Sequence, residues 1–501
     1  MVCVRTGRAL PSLDRSSRYR QGMCCDRTPS LAEGQGVPPS WLHSAGPIVF
    51  RPASGRTQVL VPSAVPDPRD LGTAAAAAAP TGRFAARTAG MTASEIRALF
   101  AVASRPEVVS LAGGMPNLAA LPLDALASEV GELVAAEGQT ALQYGSAQGT
   151  PALREQICEV MRLEGINADP SDVVVTVGSQ MALDLITRIY CDPGDVVLAE
   201  GPSYVGALGS FAAYQARVVH IEMDAHGLVP SLLRSALESL ARQGITPKFL
   251  YTIPNFHNPA GVTLAVERRP EILEICASYG VAVVEDNPYG LLGFSGTIYP
   301  ALRSLDRDVV YLGSFSKTFA SGLRVGWALV PPAVRDRLVL AAESATLCPP
   351  TFNQMIVSRY LQTQDWQSQI KTFTEAYRER RDAMLSALET YLPPGCSWNV
   401  PDGGFYVWLT VPEGVDTKAM LPRAVTARVA YASGTGFYAD GYGSRQLRLS
   451  FCYPTPERIT EGVRRLAGVL TAELDVMRTF GVPTRAASLK PGPGAPSPDT
   501  A

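Results

Sequence analysis

Between residues 173 and 330 the chain alternates short runs rich in Val, Ile and Leu with longer stretches of helical period, and this rhythm restricts its fold more than any other feature. The runs are 173–177, 195–199, 217–221, 249–253, 281–285, 309–313 and 326–330. Each is the length of one buried strand and too short for a helix. Strands separated by helical crossovers demand a mainly parallel sheet with helices on both faces. The expectation is therefore a large α/β domain around a seven-stranded sheet. From about residue 351 the composition turns helical, and 369–392 reads as one long helix stopped ahead of Pro393 and Pro394. Runs 405–409 and 446–451 then predict strands of a smaller α+β domain.

The two ends differ from this middle. Residues 1–88 are rich in Arg, Pro and Ser, include an alanine run at 74–79 and sustain neither period, so they read as disordered or as an upstream extension, with Met91 as an alternative initiator. Their arginine-rich, acid-poor composition also suits an organellar transit peptide. Residues 481–501 carry Pro491, Pro493, Pro496 and Pro498 and read as a disordered tail. The predicted organisation is an extension at 1–88, an N-terminal arm at 89–124 that packs on the small domain, a large domain at 125–350, a small domain at 351–480, and the tail.

Charge and cysteine usage narrow the function classes. With 44 basic against 46 acidic residues there is no excess of positive charge to hold a phosphate backbone, so nucleic acid is not expected as a partner. Nine cysteines show no Cys-x-x-Cys pattern and there are four histidines, which suits reduced thiols and no metal site. No apolar run reaches bilayer length and residues 1–20 lack the apolar stretch of a secretory signal. A cytoplasmic protein with no membrane partner is expected.

The most specific local signal is the stretch from Gly313 to Trp327, Gly-Ser-Phe-Ser-Lys-Thr-Phe-Ala-Ser-Gly-Leu-Arg-Val-Gly-Trp, directly after a predicted strand. Lys317 sits there among small residues and hydroxyls, with Arg324 seven positions on. A lysine attacks an aldehyde only as the neutral amine, so such a lysine needs surroundings that depress its pKa. Ser314, Ser316 and Arg324 have the chemistry to bind a phosphate dianion through charge-assisted hydrogen bonds. Taken alone, the stretch could also be a surface loop with an ordinary lysine.

These residues resemble the fold-type-I pyridoxal-phosphate aminotransferases, in particular the branch that holds 2-aminoadipate and kynurenine aminotransferases. The resemblance runs from about Arg97 to Leu470 with its motifs in the expected order. It implies the aspartate-aminotransferase-like fold, pyridoxal 5'-phosphate as cofactor and Lys317 as the residue that holds it covalently. Val177-Gly-Ser179-Gln180 resembles the phosphate cup, where unsatisfied N–H groups at a helix N-terminus favour an anion. In Glu200-Gly-Pro-Ser-Tyr204 the tyrosine corresponds to the ring that stacks on the cofactor. Asn258, in Pro254-Asn-Phe-His-Asn258-Pro-Ala-Gly261, corresponds to the donor to the cofactor's phenolic oxygen, while His257 departs from the usual amide. His257 reads first as a polar loop residue and second as a substrate contact.

The same resemblance makes Asp286, in Val284-Glu-Asp286-Asn-Pro-Tyr289-Gly290, the carboxylate that keeps the pyridine nitrogen protonated, and Tyr289 a contact of the phenolic oxygen. Arg448, in Leu447-Arg448-Leu-Ser-Phe451, corresponds to the bidentate grip on the substrate α-carboxylate, in preference to Arg445. Gly114, in Ser110-Leu-Ala-Gly-Gly114-Met-Pro-Asn117, falls in the substrate-side glycine loop. Tyr144 corresponds to a residue that reaches the cofactor phosphate of a neighbouring subunit, which implies a homodimer with shared sites. Ser94-Glu-Ile-Arg97 resembles the helix whose arginine pairs with an acidic substrate side chain.

The implied reaction is a ping-pong transfer of an amino group from an L-amino acid to a 2-oxo acid. The same fold supports lyase and oxidase outcomes, and it also occurs fused to winged-helix regulators. Residues 1–90 show no winged-helix pattern, and no Gly-x-Gly-x-x-Gly stands between a strand and a helix to suggest a nicotinamide dehydrogenase.

Overall fold

The computed structural model of the chain describes residues 84–91 and 105–480. Past a 3-10 turn at Ala86–Gly90 and a short strand β1 (Val109–Ser110), the expected alternation is realised as one sheet. Its strands are β2 (Val173–Thr176), β3 (Val196–Gly201), β4 (Arg217–Asp224), β5 (Gly227–Leu228), β6 (Phe249–Thr252), β7 (Ala282–Asp286), β8 (Val310–Ser314) and β9 (Gly326–Leu329). Their order is β2-β9-β8-β7-β6-β3-β4-β5. Neighbours pair in parallel except that β9 is antiparallel to both β2 and β8 and β5 folds back antiparallel on β4.

The sheet thus has eight strands where the apolar runs predicted seven. The extra strand, β5, is two residues long, too short to register as a run. It is created by a tight turn in which His226 N–H bonds Asp224 Oδ1 at 2.8 Å and Gly227 takes φ +87°.

Alternation along the strands covers both faces of the sheet. Val197, Ala199, Phe249, Tyr251 and Val284 pack with Ala182, Leu183 and Ile186 of the helix Ser179–Tyr190. Their neighbours Val196, Leu198, Leu250 and Val283 face the opposite way, onto the helices Pro230–Arg242 and Arg268–Ser278. A period of two with both sets buried is the signature of a doubly covered sheet.

A second, antiparallel sheet follows. Its strands β10 (Ser397–Trp398), β11 (Tyr406–Thr410), β13 (Ala432–Ser433) and β14 (Gln446–Ser450) lie in the order β10-β11-β14-β13. β1 pairs in parallel with β12 (Val429–Ala430), and Ser450 N–H bonds Leu111 O at 2.7 Å. The segment after β1 is thereby drawn alongside β14. The long helix Trp366–Tyr391 begins ahead of the predicted residue 369 because Asp365 accepts from Ser368 N–H at 3.1 Å and caps it; it ends before Pro393 as expected.

The 3-10 turn at Ala86–Gly90 puts regular structure across the boundary predicted at residue 88. Otherwise the predicted extension, the tail and Arg97 lie outside the described residues. Among those residues no helix is long and apolar enough to cross a membrane.

Candidate active site

Strands β2, β3, β6, β7 and β8 point the same way, so the segments leaving their C-terminal ends gather on one edge of the sheet, where open α/β sheets bind ligands. A cavity of about 420 Å³ opens there, closed from the other side by the Gly114 segment, Tyr406 of β11 and Arg448 of β14. Of the cofactor and substrate residues expected from the resemblance that fall among the described residues, all but Tyr144 line it, while His257 and Arg445 do not.

Lys317 lies in the turn after β8. Its Nζ donates to Gly114 O at 3.0 Å and sits 5.7 Å from the centre of the Phe405 ring. Desolvation in the cavity pushes the amine down to about 8, and the charges of Arg448 and Arg324 push the same way. A tenth or so of the side chain is then neutral near pH 7, far more than for a free lysine.

Asp286 ends β7 and is buried. Its Oδ2 accepts from Tyr251 O–H at 2.8 Å, while Oδ1 has no hydrogen-bond partner among the described residues. Burial pushes this carboxyl up to about 6, opposed by the Tyr251 hydrogen bond and the Lys317 charge. A buried carboxylate oxygen without a donor is costly, so this one calls for a donor from within the cavity.

At the far end, Gly178 turns the chain from β2 into the helix Ser179–Tyr190 with φ +76°. A Cβ there would fall 2.3 Å from Arg324 Nη2, so the bare backbone is what lets the guanidinium lie over the helix N-terminus. Arg324, itself at φ +53°, donates to Ser316 Oγ at 3.1 Å and Val177 O at 3.3 Å. Ser316 N–H in turn bonds Ser314 Oγ at 3.1 Å. The Gln180 side chain is committed away from the cup. Its amide donates to Gly206 O and Ser210 Oγ, both at 3.0 Å, so what it offers an anion is its backbone N–H.

Arg448 pairs in register with Trp408 and Ala432 at the centre of the second sheet and is buried. It donates to Asn258 Oδ1 at 2.8 Å and Ala112 O at 2.6 Å. The rings of Tyr406 and Phe437 flank its guanidinium at 4.2 and 5.0 Å. Arg445 instead bonds Val411 O and does not reach the cavity. A Cβ on Gly114 would fall 2.2 Å from Tyr406 Oη, which gives the glycine loop its physical reason. Tyr289 Oη lies 3.4 Å from Tyr406 Oη.

His257 is a polar loop residue, the first of its two readings, and is not among the residues that line the cavity. It is 1 % exposed, with Nδ1 accepting from Ala260 N–H at 3.2 Å and Nε2 3.0 Å from Glu200 Oε2. It therefore braces the loop from behind, between Ala260 and Glu200. The buried Glu200 carboxylate needs such a neighbour, and nothing in the local sequence announced that pairing. Sequence reasoning also missed Tyr251 and Tyr406, whose strand positions read as ordinary core aromatics. Tyr144, 77 % exposed, lies away from its own chain's cavity.

The arrangement fits a phosphorylated pyridine aldehyde. Asp286 Oδ1 is matched by a ring N–H, the glycine-lined helix N-terminus with Arg324 by a phosphate, and the Lys317 amine by an aldehyde. Comparison with known proteins gives the same answer. Residues 106–466 match the family model of class I and II aminotransferases. The chain is 41 % identical over 394 residues to aromatic-amino-acid aminotransferase 1 of Thermococcus litoralis, covering 78 % of this chain and 94 % of that one. It superposes on the crystal structure of Pyrococcus horikoshii kynurenine aminotransferase, in complex with PMP, with a TM-score of 0.75 at 38 % identity, covering 79 % of this chain and 98 % of that one. For α-aminoadipate aminotransferase of Thermus thermophilus, complexed with N-(5'-phosphopyridoxyl)-L-leucine, the TM-score is 0.73 at 34 % identity, with 79 % and 99 % covered. The chain belongs to the class I and II aminotransferases, with the aspartate-aminotransferase-like fold, and is a pyridoxal-phosphate-dependent transaminase.

Proposed function

We propose that this transaminase takes aromatic L-amino acids as donors and a 2-oxo acid as acceptor, in a ping-pong cycle. The observation that carries the reading is the convergence on one cavity of the Lys317 amine, the unpartnered Asp286 Oδ1 and the Arg448 guanidinium, with Tyr204, Tyr289 and Tyr406 forming its walls. The name of the Thermococcus litoralis relative supports the donor class.

When bound, pyridoxal phosphate supplies the aldehyde carbon that receives the amino group and a ring that withdraws electrons from the substrate α-carbon. The chain's own groups do the rest. The N–H groups of Ser179 and Gln180, with Ser314, Ser316 and Arg324, hold the phosphate. Asp286 would keep the ring nitrogen protonated and Tyr204 would offer the ring a stacking face. Because Asn258 Oδ1 accepts from Arg448, its Nδ2 would be the end that donates to the phenolic oxygen. Arg448 grips the substrate carboxylate in exchange for its contact with Ala112 O, next to the backbone of Gly114. The Lys317 amine, on the Gly114 side of the cavity, would be the base that takes the proton from the α-carbon.

Residues 125–350 act as the cofactor-holding lobe and 351–480 as the lobe that brings Arg448, with 89–124 as an arm joined to the latter; the β1–β12 pairing supports this division. The functional unit is a homodimer. Tyr144 and Leu142 are 77 % and 74 % exposed side by side, in keeping with a tyrosine that serves the neighbouring subunit's phosphate. A second donor class, acidic amino acids, rests on Arg97 and on the α-aminoadipate relative.

The test is a donor panel read as the absorbance change of the bound cofactor in a single half-reaction. Phenylalanine and tyrosine are expected to react about tenfold faster than leucine, the discrimination an aromatic-lined pocket provides. Leucine matching them would overturn the donor class. Glutamate should lose about tenfold in Arg97→Ala with phenylalanine unchanged, and wild-type rates equal for glutamate and leucine would remove Arg97 as a selectivity element.

A further inference from the structure

One buried carboxyl takes no part in the chemistry above and lies outside the cavity. Glu164 follows the helix Pro151–Arg162, outside every motif named above, and is 4 % exposed. Its Oε1 accepts from Asn287 Nδ2 at 2.6 Å, and its Oε2 accepts from Tyr311 O–H. Asn287 is the residue after Asp286, and Tyr311 lies on β8, the strand that leads to Ser314 and Lys317. The chain of contacts continues from Asn287 Oδ1, which accepts from Asn255 Nδ2 at 3.1 Å, to Asn255 Oδ1, which accepts from Arg269 Nη2 at 2.7 Å. Asn255 opens the loop that carries Asn258. Three segments that supply cavity residues are thus tied together from behind.

Gly290 shows how closely the turn fits. A Cβ there would fall 1.9 Å from Glu164 Oε1 and 2.7 Å from Asn287 Nδ2. The backbone from Asp286 to Gly290 is wound around the carboxyl, and Tyr289 projects from this turn into the cavity. Burying a carboxyl is costly, and an apolar side chain of similar volume would hold the helix end against the sheet at least as well. What an apolar side chain could not do is fix Asn287 and Tyr311 relative to one another.

We propose that Glu164 is a positioning residue for transamination: its carboxyl is the post that sets the Asp286–Gly290 turn, and through it the placement of Asp286 and Tyr289 against the cofactor. The inference rests on the assignment of those two residues as cofactor contacts. Burial pushes Glu164 up to about 8, in keeping with a group held for its geometry and not for its charge.

The experiment compares wild-type holoenzyme with Glu164→Ala, Glu164→Gln, Tyr311→Phe and Asp286→Ala. For each, kcat and KM for the amino donor, the dissociation constant of pyridoxal phosphate and the melting temperature of the cofactor-free protein are measured. Displacement of reacting groups by an ångström or less costs up to about 100-fold, so Glu164→Ala is expected to lower kcat by about 10- to 100-fold with KM within about twofold, and to weaken cofactor binding. Glu164→Gln, whose amide can still accept from Asn287 and donate to the Tyr311 oxygen, should recover most of the loss. If Glu164→Ala does not fold, Tyr311→Phe carries the test, with an expected fall in kcat of about tenfold. A lower melting temperature with unchanged kcat and cofactor affinity would overturn the proposal. Unchanged cofactor affinity in Asp286→Ala would instead overturn the assignment of Asp286, so the two failures are distinct.

Discussion

Glu285 and Asp286 stand side by side at the end of β7, and because strand side chains alternate, their carboxyls face opposite sides of the sheet. Both are buried, and burial raises both, Glu285 to about 7 and Asp286 to about 6. Glu285 is closed: its Oε1 accepts from Leu302 N–H at 3.0 Å and its Oε2 from Arg303 N–H at 2.9 Å, so it caps the short helix Leu302–Leu305. Asp286 is open. One oxygen takes the Tyr251 hydroxyl and the other, on a residue that lines the cavity, has no donor among the described residues. Glu200, at the end of β3, is closed in the same manner as Glu285, by Thr252 O–H at 2.7 Å and Ile253 N–H at 2.8 Å. Burial and a raised pKa therefore do not single out the working carboxylate. Incomplete satisfaction by the protein does, because a native fold tolerates an orphaned buried oxygen where a ligand completes it.

The comparison can be broken at several strengths. The largest effect is expected on the cavity side, where Lys317→Ala should lower kcat by at least about 10³-fold, the scale of a lost general base; formation of 2-oxo acid at wild-type rate would contradict its role. Next, Asp286→Asn removes the charge that keeps the ring protonated and should lower kcat by about 100-fold, whereas the neighbouring Glu285→Gln should leave kcat within about twofold. Equal losses in the two variants, measured under saturating cofactor, would erase the distinction between open and closed carboxyls. Glu285→Gln should show itself in stability instead, by about 1–3 kcal/mol in denaturant unfolding, since one backbone N–H loses a charged acceptor.

A pH experiment sharpens the same contrast. The Lys317 amine must lose its proton before it can capture the cofactor aldehyde, and its pKa is lowered to about 8. Capture of pyridoxal phosphate by the cofactor-free enzyme should thus accelerate as pH rises through about 8 and level off above it. A midpoint near that of an ordinary lysine, about 10.4, would show that the cavity does not desolvate the amine.

How much of this was legible in the sequence follows from the range of the interactions concerned. Runs such as Val173–Thr176 and Phe249–Thr252 announce strands because both faces are buried and every position is apolar or β-branched. Most cavity residues of the large sheet were legible because they end or follow a strand in a short segment of unusual composition, and the topology brings those segments to one edge; Arg448, inside β14, was legible from its Leu-Arg-Leu-Ser-Phe frame. Roles that depend on contacts across the fold were not legible. Tyr251 reads as core until Asp286 is placed beside it. Glu164, in Leu163-Glu-Gly165, reads as a surface charge past a helix end until the turn at Asn287 closes on it. His257 reads as a loop residue until Glu200 appears behind it. In each case the partner lies at least 35 residues away, or on a different strand, and local pattern carries no trace of it.

The most direct test is to incubate the purified chain with pyridoxal phosphate, reduce with borohydride and map the modified peptide by mass spectrometry. The expected result is a single phosphopyridoxyl adduct on Lys317, lost in Lys317→Ala. A protein that stays unmodified, or that carries its adduct on another lysine with Lys317 untouched, would contradict the account.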